Sequence, residues 1–99
     1  MNGTYLPQVA LQLPEFWRSR ILSEIAGAKI KVIKMGGEGI PDEVHEAFDE
    51  FLLVIEGEMT LILEEEHILL RAGEYFVIPK DKTHRVATNS WGTLLLIDA

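Results

Sequence analysis

The stretch "PDEVHEAFDEFLLVIEGE", residues 41–58, places many acidic side chains around one histidine, His45, and then runs into five consecutive apolar residues. Glu50 heads that apolar run, which has the composition of a buried strand. An ionised carboxylate at such a position is costly unless a cation neutralises it. A divalent metal ion shared by Glu50 and His45 would supply that cation.

Two further side chains are candidates for the same site. Glu43 and His45 are two residues apart, so they share one face if the strand between them is regular. Glu50 would lie on the opposite face of an unbroken strand, so its convergence with His45 requires a turn within "EAFD". In the second half of the chain, His84 follows a polar turn and opens another predicted strand. It can lie across the interior from His45, although spacing alone does not require it.

Each candidate also has a purely structural interpretation. His45 can be a surface histidine beside a turn, and Glu50 can pair with Arg85 or with a lysine. Glu43 belongs to an acidic run that would ordinarily be solvated. The third histidine, His67, follows three glutamates at a predicted hairpin and is expected on the surface.

The composition excludes several classes of protein. With 99 residues the chain has room for one domain, and without cysteine it has no disulfide framework, thiolate metal site or cysteine nucleophile. The net charge of -7 has the wrong sign for binding nucleic acid or an anionic membrane. No apolar run approaches the length of a bilayer span, and no basic segment precedes an apolar one at the N-terminus. We therefore expect a soluble cytoplasmic protein.

The elements that must position these residues are short strands. From residue 20 onward, β-branched or leucine-rich runs alternate with turn residues, which is typical of an antiparallel sandwich or barrel. Residues 1–19 mix two prolines with large apolar side chains and predict an arm that packs on the barrel or on a dimer partner, with one helical turn at 14–18. The predicted strands are 20–25, 28–35, 50–56, 58–64, 67–71, 74–79, 84–88 and 93–98.

Some predicted strands are apolar on both faces. In residues 50–56, Phe51 and Leu53 alternate with Leu52 and Val54, so neither face of this strand is polar. A lone barrel would expose one of these faces to water, and exposed apolar patches of that kind mark interfaces. We therefore predict a homodimer, because twofold pairing is the commonest closed assembly.

The spacing of the candidate residues resembles the two sequence motifs of the cupin superfamily, and of its small single-domain members in particular. The resemblance covers the chain from about residue 28 to the C-terminus. The first motif is Gly, five residues, His-x-His, three or four residues, Glu, six residues, Gly, and its places are held here by Gly37, Glu43, His45, Glu50 and Gly57. The second motif is Gly, five residues, Pro-x-Gly, two residues, His, three residues, Asn, and its places are held by Gly73, Pro79, Asp81, His84 and Thr88. Glu43 thus replaces the first histidine, and Asp81 replaces a glycine.

This resemblance implies an all-β fold, a small antiparallel barrel of the jelly-roll or double-stranded β-helix type, formed by residues 20–99. It also implies a metal site in the barrel with His45, Glu50 and His84 as ligands, and Glu43 becomes the candidate for the fourth position. Such a ligand set suits Fe, Mn, Ni or Zn, and a second carboxylate would favour Mn or Fe(II).

Three functions are compatible with this site. The first is a metal-binding barrel that takes a small polar or anionic ligand, with enzymatic activity of the dioxygenase or isomerase type left undecided because no general acid or base is evident beyond the ligands. The second is a non-catalytic small-molecule binding or sensing module with a degenerate metal site. The third is a structural barrel whose apolar outside binds a partner chain. Metal content separates the first from the other two.

Overall fold

The computed structural model describes all 99 residues, and the chain forms an antiparallel β fold with one short helix. The predicted all-β jelly-roll architecture is confirmed. No helix of the chain has the length and hydrophobicity needed to cross a membrane. The elements are α1 (Leu6–Leu11), β1 (Arg20–Ile25), β2 (Ala28–Met35), β3 (Ile40–Glu43), β4 (Glu50–Leu63), β5 (Glu66–Arg71), β6 (Tyr75–Ile78), β7 (His84–Val86) and β8 (Trp91–Asp98).

Strand β4 belongs to two layers of the structure. Its N-terminal half pairs with β6 and β8, whereas its C-terminal half pairs with β5 and β7. One layer therefore has the order β1-β2-β8-β4-β6, and the other has the order β5-β4-β7-β3. All pairings are antiparallel, and they do not close into a ring. The main core lies between the layers, because its buried residues come from strands of both: Ile33, Met35, Leu52, Val54, Met59, Leu61, Leu70, Ile78, Val86 and Leu94.

The change of layer occurs at Gly57, in the middle of β4. The register of β4 against β8 shifts between Val54 and Glu56, and Gly57 has a φ of 84°, in the left-handed region that glycine adopts readily. A Cβ atom at Gly57 would collide with the backbone carbonyl of Trp91. The sequence predicted two strands separated by a turn at this place. The glycine instead bends one continuous strand, because both halves keep hydrogen-bonded neighbours.

Strand β3 was not predicted from the sequence. Its four residues include Pro41 and two acidic residues, which are depleted in strands. The strand pairs only with β7 and so lies at the edge of its layer. A proline is tolerated there because the missing N–H is not needed by a second neighbour.

The N-terminal arm packs on the outside of the barrel. The predicted position of its helical turn, residues 14–18, is wrong: α1 lies earlier, and residues 14–17 form bends and turns. Pro7 stands in the first turn of α1, where its fixed φ suits a helix start. Ala10 and Leu13 pack against Val32 of β2, so this face of the helical segment seats on the sheet and covers part of its apolar outside.

Candidate metal centre

His84 points one ring nitrogen into the barrel interior. The residue opens β7, and only 4% of its surface is exposed. Its Nδ1 lies 3.1 Å from the carbonyl oxygen of Lys82. Because a carbonyl can only accept, Nδ1 carries the hydrogen and donates it, which leaves the Nε2 lone pair free. This Nε2 lies 3.7 Å from Oε1 of Glu50 and 3.8 Å from Oε2 of Glu43.

His45 reaches the same place from the loop between β3 and β4. Its Nε2 lies 3.5 Å from Oε2 of Glu50 and 3.9 Å from Oε2 of Glu43, and its ring stacks on Phe48. The expected turn is present as a bend at Glu46 and Ala47. However, β3 ends at Glu43, so a shared strand face is not what brings Glu43 and His45 together. The loop conformation does this instead.

Two hydrogen bonds from backbone N–H groups, one to a carbonyl and one to a side chain, join the His45 loop to the turn that precedes His84. The N–H of Asp81 donates to the carbonyl of His45 at 2.8 Å, and the N–H of Lys80 donates to Oδ1 of Asp49 at 2.9 Å. Asp81 has a φ of 68°, and aspartate is one of the few non-glycine residues that adopt this region readily. Asp81 can therefore stand where the family motif has glycine, and the two histidine loops are held together.

A β-bulge directs Glu43 toward the site. The pairing of β3 with β7 shifts register before Glu43, which then lies opposite His84. Without that shift, Asp42 would lie opposite His84. Asp42 instead lies on the surface, with its carboxylate 3.9 Å from the guanidinium of Arg85.

Glu50 is the buried carboxylate of the site, with 7% of its surface exposed. Burial raises its pKa above the ordinary value of a glutamate, and the two imidazoles, His45 first, act in the opposite direction. Asp98 and then Glu43 raise the pKa further by smaller amounts. Desolvation, rather than repulsion from Glu43, is therefore the main cause of the raised pKa. A cation beside Glu50 would remove most of the cost of burying its carboxylate.

Three of the four predicted side chains lie close enough to share one ion. Glu43, His45 and His84 each place a ligand atom within 4.8 Å of the other two, and Glu50 contacts both imidazoles from a position farther from Glu43. Two ligands that bind one metal at about 2.0–2.2 Å lie about 3.0–3.5 Å from each other. The observed imidazole–carboxylate separations of 3.5–3.9 Å are slightly wider and too long for strong hydrogen bonds. Small side-chain movements would bring the ligand atoms of Glu43, His45 and His84 to coordination distance, so this donor set fits a divalent cation.

These side chains line an interior cavity of about 220 Å³. Its walls are mostly apolar, and its polar lining beyond the candidate ligands is limited to Ser19, Lys31 and Asp98. Ligand pockets are commonly of this kind, with a few placed polar groups on an apolar wall. The apolar wall consists of Trp17, Ile33, Ile40, Leu52, Met59, Leu61, Ile78, Val86, Leu94 and Leu96.

Sequence reasoning missed Lys31 and Asp98. The Nζ of Lys31 lies 2.9 Å and 3.1 Å from the two carboxylate oxygens of Asp98, and both side chains are largely buried. Lys31 shares the inner face of β2 with Ile33 and Met35, and the two-residue period could have revealed this. Its pairing with Asp98 depends on the register of β2 against β8, which the sequence does not specify. Trp17 of the N-terminal arm packs against the core and also lines the cavity.

The fold is that of a cupin. Residues 30–99 match the sequence profile of the family described as Cupin domain, and the chain belongs to that family. No curated protein is significantly similar to it in sequence.

Solved structures show the same fold along nearly the whole chain. The protein NMB1881 from Neisseria meningitidis superposes with a TM-score of 0.81 at 26% identity, over 98% of this chain and 98% of its own. A cupin-2 domain containing protein from Shewanella frigidimarina superposes with a TM-score of 0.78 at 26% identity, over 91% and 86% of the two chains. The protein TT1209 from Thermus thermophilus gives a TM-score of 0.80 at 24% identity, over 100% and 97%.

Proposed function

We propose that this cupin binds one divalent metal ion through His45, Glu50, His84 and Glu43, and that a small polar or anionic ligand completes the coordination from the cavity. The main support is the convergence of two histidine Nε2 atoms on buried Glu50. One histidine comes from the β3–β4 loop and the other from the start of β7, and the turn before β7 is hydrogen-bonded to that loop. A structural core has no need of this arrangement, because an apolar cluster would be cheaper to bury.

The ligand chemistry favours Fe, Mn, Ni or Zn, and the two carboxylates favour Mn or Fe(II) among them. A bound ion of this kind supplies Lewis acidity and, as Fe(II), a site for dioxygen. The chain contributes the orientation of His84, whose Nδ1–H is held by the Lys82 carbonyl, and a cavity with mostly apolar walls.

A non-catalytic binding or sensing module is the second candidate. Two features of Glu43 favour this candidate. The family motif has a histidine at this place, and the Glu43 side chain is 45% exposed. The remaining charged groups of the cavity, Lys31 and Asp98, are paired with each other, so neither is an evident general acid or base. Small-molecule binding is common to both candidates. Metal content distinguishes them, because the second candidate has a degenerate metal site, and turnover of the dioxygenase or isomerase type would be found only with the first.

Metal content tests the proposal directly. Protein purified without a metal-affinity column should contain close to one equivalent of a first-row divalent metal by elemental analysis, or should take up one equivalent of Mn, Fe(II), Ni or Zn after treatment with a chelator. Uptake of less than a tenth of an equivalent of all four metals would exclude the proposed site.

Alanine substitutions of two histidines, one in the candidate site and one outside it, provide a matched test and control. His84→Ala should abolish stoichiometric metal uptake while the circular dichroism spectrum stays that of a β protein, because the residue lies at a strand end. His67→Ala is the control, since His67 is exposed on β5 and lies outside the cavity. Equal metal uptake by both variants would contradict the assignment of His84.

We also propose that the chain forms a homodimer. All six residues of β1 are exposed, although Ile21, Leu22 and Ile25 are large and apolar, and β1 is an unpaired edge of its layer. A second copy pairing along this edge would cover these side chains. Light scattering at micromolar concentration should give twice the mass of 11.2 kDa, and Ile25→Asp should give the monomer mass. A wild-type monomer would contradict the proposal.

A further inference from the structure

The ion pair between Lys31 and Asp98 has no evident structural purpose. Both side chains project from inner faces of the sheet into the cavity, and their exposed fractions are 19% and 8%. Replacing a buried ion pair by apolar residues is commonly neutral or stabilising, so its presence is weak evidence for a role in folding. The ammonium of Lys31 has three N–H donors, and its only side-chain partner is Asp98. At least one donor is therefore available to a molecule in the cavity.

The pair lies beside the candidate metal site. Strands β2, β8 and β4 are consecutive neighbours in one layer. Phe51 of β4 lies opposite Ile97 of β8, and one further step along each strand brings Glu50 opposite Asp98. Neighbouring strands are about 4.8 Å apart, so one small molecule can reach both the ion pair and a metal ligated by Glu50.

The charges of the cavity favour an uncharged ligand. A divalent ion together with Lys31 balances the three carboxylates of Glu43, Glu50 and Asp98, so the loaded cavity has no excess positive charge to attract an anion. Lys31 is moreover neutralised locally by a carboxylate at 2.9 Å. A donor and an acceptor side by side complement a hydroxyl group, which accepts from the ammonium and donates to the carboxylate.

We propose that the cavity binds an uncharged polyhydroxylated molecule, with one hydroxyl held between Lys31 and Asp98 and another directed to the metal site. The inference rests on the proposed function for the metal end of the ligand. A cavity of about 220 Å³ has room for a molecule of the size of a small sugar or sugar alcohol, and the apolar wall with Trp17 suits its carbon skeleton.

The test compares two probes that share a six-carbon chain: sorbitol, which is uncharged, and gluconate, which has a carboxylate at one end. Each is titrated into zinc-loaded protein at millimolar concentration and followed by NMR. The reporter is the indole N–H of Trp17, which donates to the Gly36 carbonyl while the residue lines the cavity. The variant Lys31→Met/Asp98→Leu removes the pair without leaving an unpaired buried charge. Lys29→Met is the control, because it removes a lysine from the same strand that does not line the cavity.

We expect the double variant to bind sorbitol about tenfold more weakly, since two hydrogen bonds to charged groups are lost. Its zinc affinity should stay within about twofold of wild type, because the pair is not a ligand. Gluconate, whose hydroxyls can occupy the same pair, should lose no more affinity than sorbitol in this variant, and Lys29→Met should change the affinity of neither probe.

Other outcomes separate the two proposals. Zinc binding with no sorbitol binding, or with equal sorbitol affinity in wild type and double variant, would overturn the inference and leave the metal site standing. A fall in gluconate affinity clearly larger than that for sorbitol would show an anion site at Lys31 and overturn the inference as well. If wild type takes up no metal, the proposed function fails; sorbitol binding that still depends on the pair would then support the hydroxyl site by itself, and its absence would overturn both.

Discussion

Glu43 lies directly opposite His84 in the antiparallel pairing of β3 with β7, and its Oε2 is 3.8 Å from the Nε2 of that histidine. This one rung of the sheet joins the two halves of the family pattern, because Glu43 belongs to the first motif and His84 to the second. The two residues differ in environment: His84 is buried, whereas the Glu43 side chain is 45% exposed at an edge strand. His84 is thus held in place by the core, whereas the Glu43 side chain has room to move when a metal ion binds.

Glu50→Gln should separate stability from metal binding. The amide has nearly the shape of the carboxylate but no charge to desolvate, so the metal-free variant should be more stable than metal-free wild type at pH 7, by roughly 1 kcal/mol. Metal affinity should fall at least about tenfold, because an ionised ligand is lost. Urea unfolding of chelator-treated protein and metal titration measure the two effects. A less stable metal-free variant would show that the carboxylate is satisfied without a cation.

The stability difference between metal-free Glu50→Gln and wild type should depend on pH. The pKa of Glu50 is raised in the folded state, so the folded protein binds this proton more tightly than the unfolded chain does. Its contribution to stability is complete below the ordinary pKa of 4.5 and is lost as the pH rises through the higher folded-state pKa. The free energy of unfolding of metal-free Glu50→Gln minus that of wild type should therefore grow as the pH rises from about 4 to 7. A difference that is constant over this range would exclude a raised pKa for Glu50.

Gly57 and Gly73 form a matched pair for testing the bend in β4. Both have positive φ, 84° and 89°, so alanine is strained at either position. At Gly57 the added Cβ also collides with the Trp91 carbonyl, whereas nothing lies within 4 Å of a Cβ at Gly73. Gly73→Ala should cost about 1 kcal/mol and Gly57→Ala at least about 3 kcal/mol, or prevent folding. Equal costs in thermal or urea unfolding would mean that β4 can change layers without close backbone contact.

Asp81 offers a milder test of the loop that holds His45. Asp81→Gly should be neutral or slightly stabilising, because glycine adopts a φ of 68° without strain and the N–H bond to the His45 carbonyl is kept. Asp81→Val should cost about 2 kcal/mol, since a β-branched residue is a poor fit to this region. Unfolding measurements on both variants check the order, and metal affinity should fall only in the valine variant. The reverse order of stability would contradict the strained turn.

The sequence predicted the strands whose residues have β-propensity and lie between clear turn signals. The prediction failed where pairing with a distant strand overrides the local propensity or the turn signal. The ends of β1 and β2 agree with the predicted ranges, because Ala26 and Gly27 form the turn between them. β3 was missed because its proline and acids are poor strand formers that are held at an edge by β7. The turn expected at Gly57 is a bend, because a strand continues when both its halves find partners.

The candidate site shows the same division. The spacing of His45, Glu50 and His84 was sufficient to nominate them, since the family spacing reflects the lengths of the loops between strands. The bulge that directs Glu43 rather than Asp42 into the site leaves no signature in the residues themselves. A register of pairing is likewise needed to bring Lys31 to Asp98, and no local pattern specifies it.

Glu43 is the position where substitution should tune the site in both directions. Its Oε2 lies within 3.9 Å of both imidazoles, but the side chain is partly solvated, so it can bind a metal weakly or through water. Glu43→Gln should lower metal affinity only about tenfold, the smaller end of the loss expected for an outer partner of a metal site. Glu43→His should raise the affinity by restoring the usual four ligands of the family, and it should shift preference from Mn toward Ni and Zn, which imidazole favours.

Asp42→Asn is the matched control for these variants. It removes one negative charge from the neighbouring residue, whose side chain points to Arg85 at the surface and does not line the cavity. If electrostatic attraction alone set the affinity, Asp42→Asn and Glu43→Gln would weaken binding equally. Titration of all four proteins with Mn, Fe(II), Ni and Zn in one buffer distinguishes the cases. A site in which neither Glu43 substitution changes any affinity would have Glu43 in solvent and three ligands only, and the bulge in β3 would then have no role in binding.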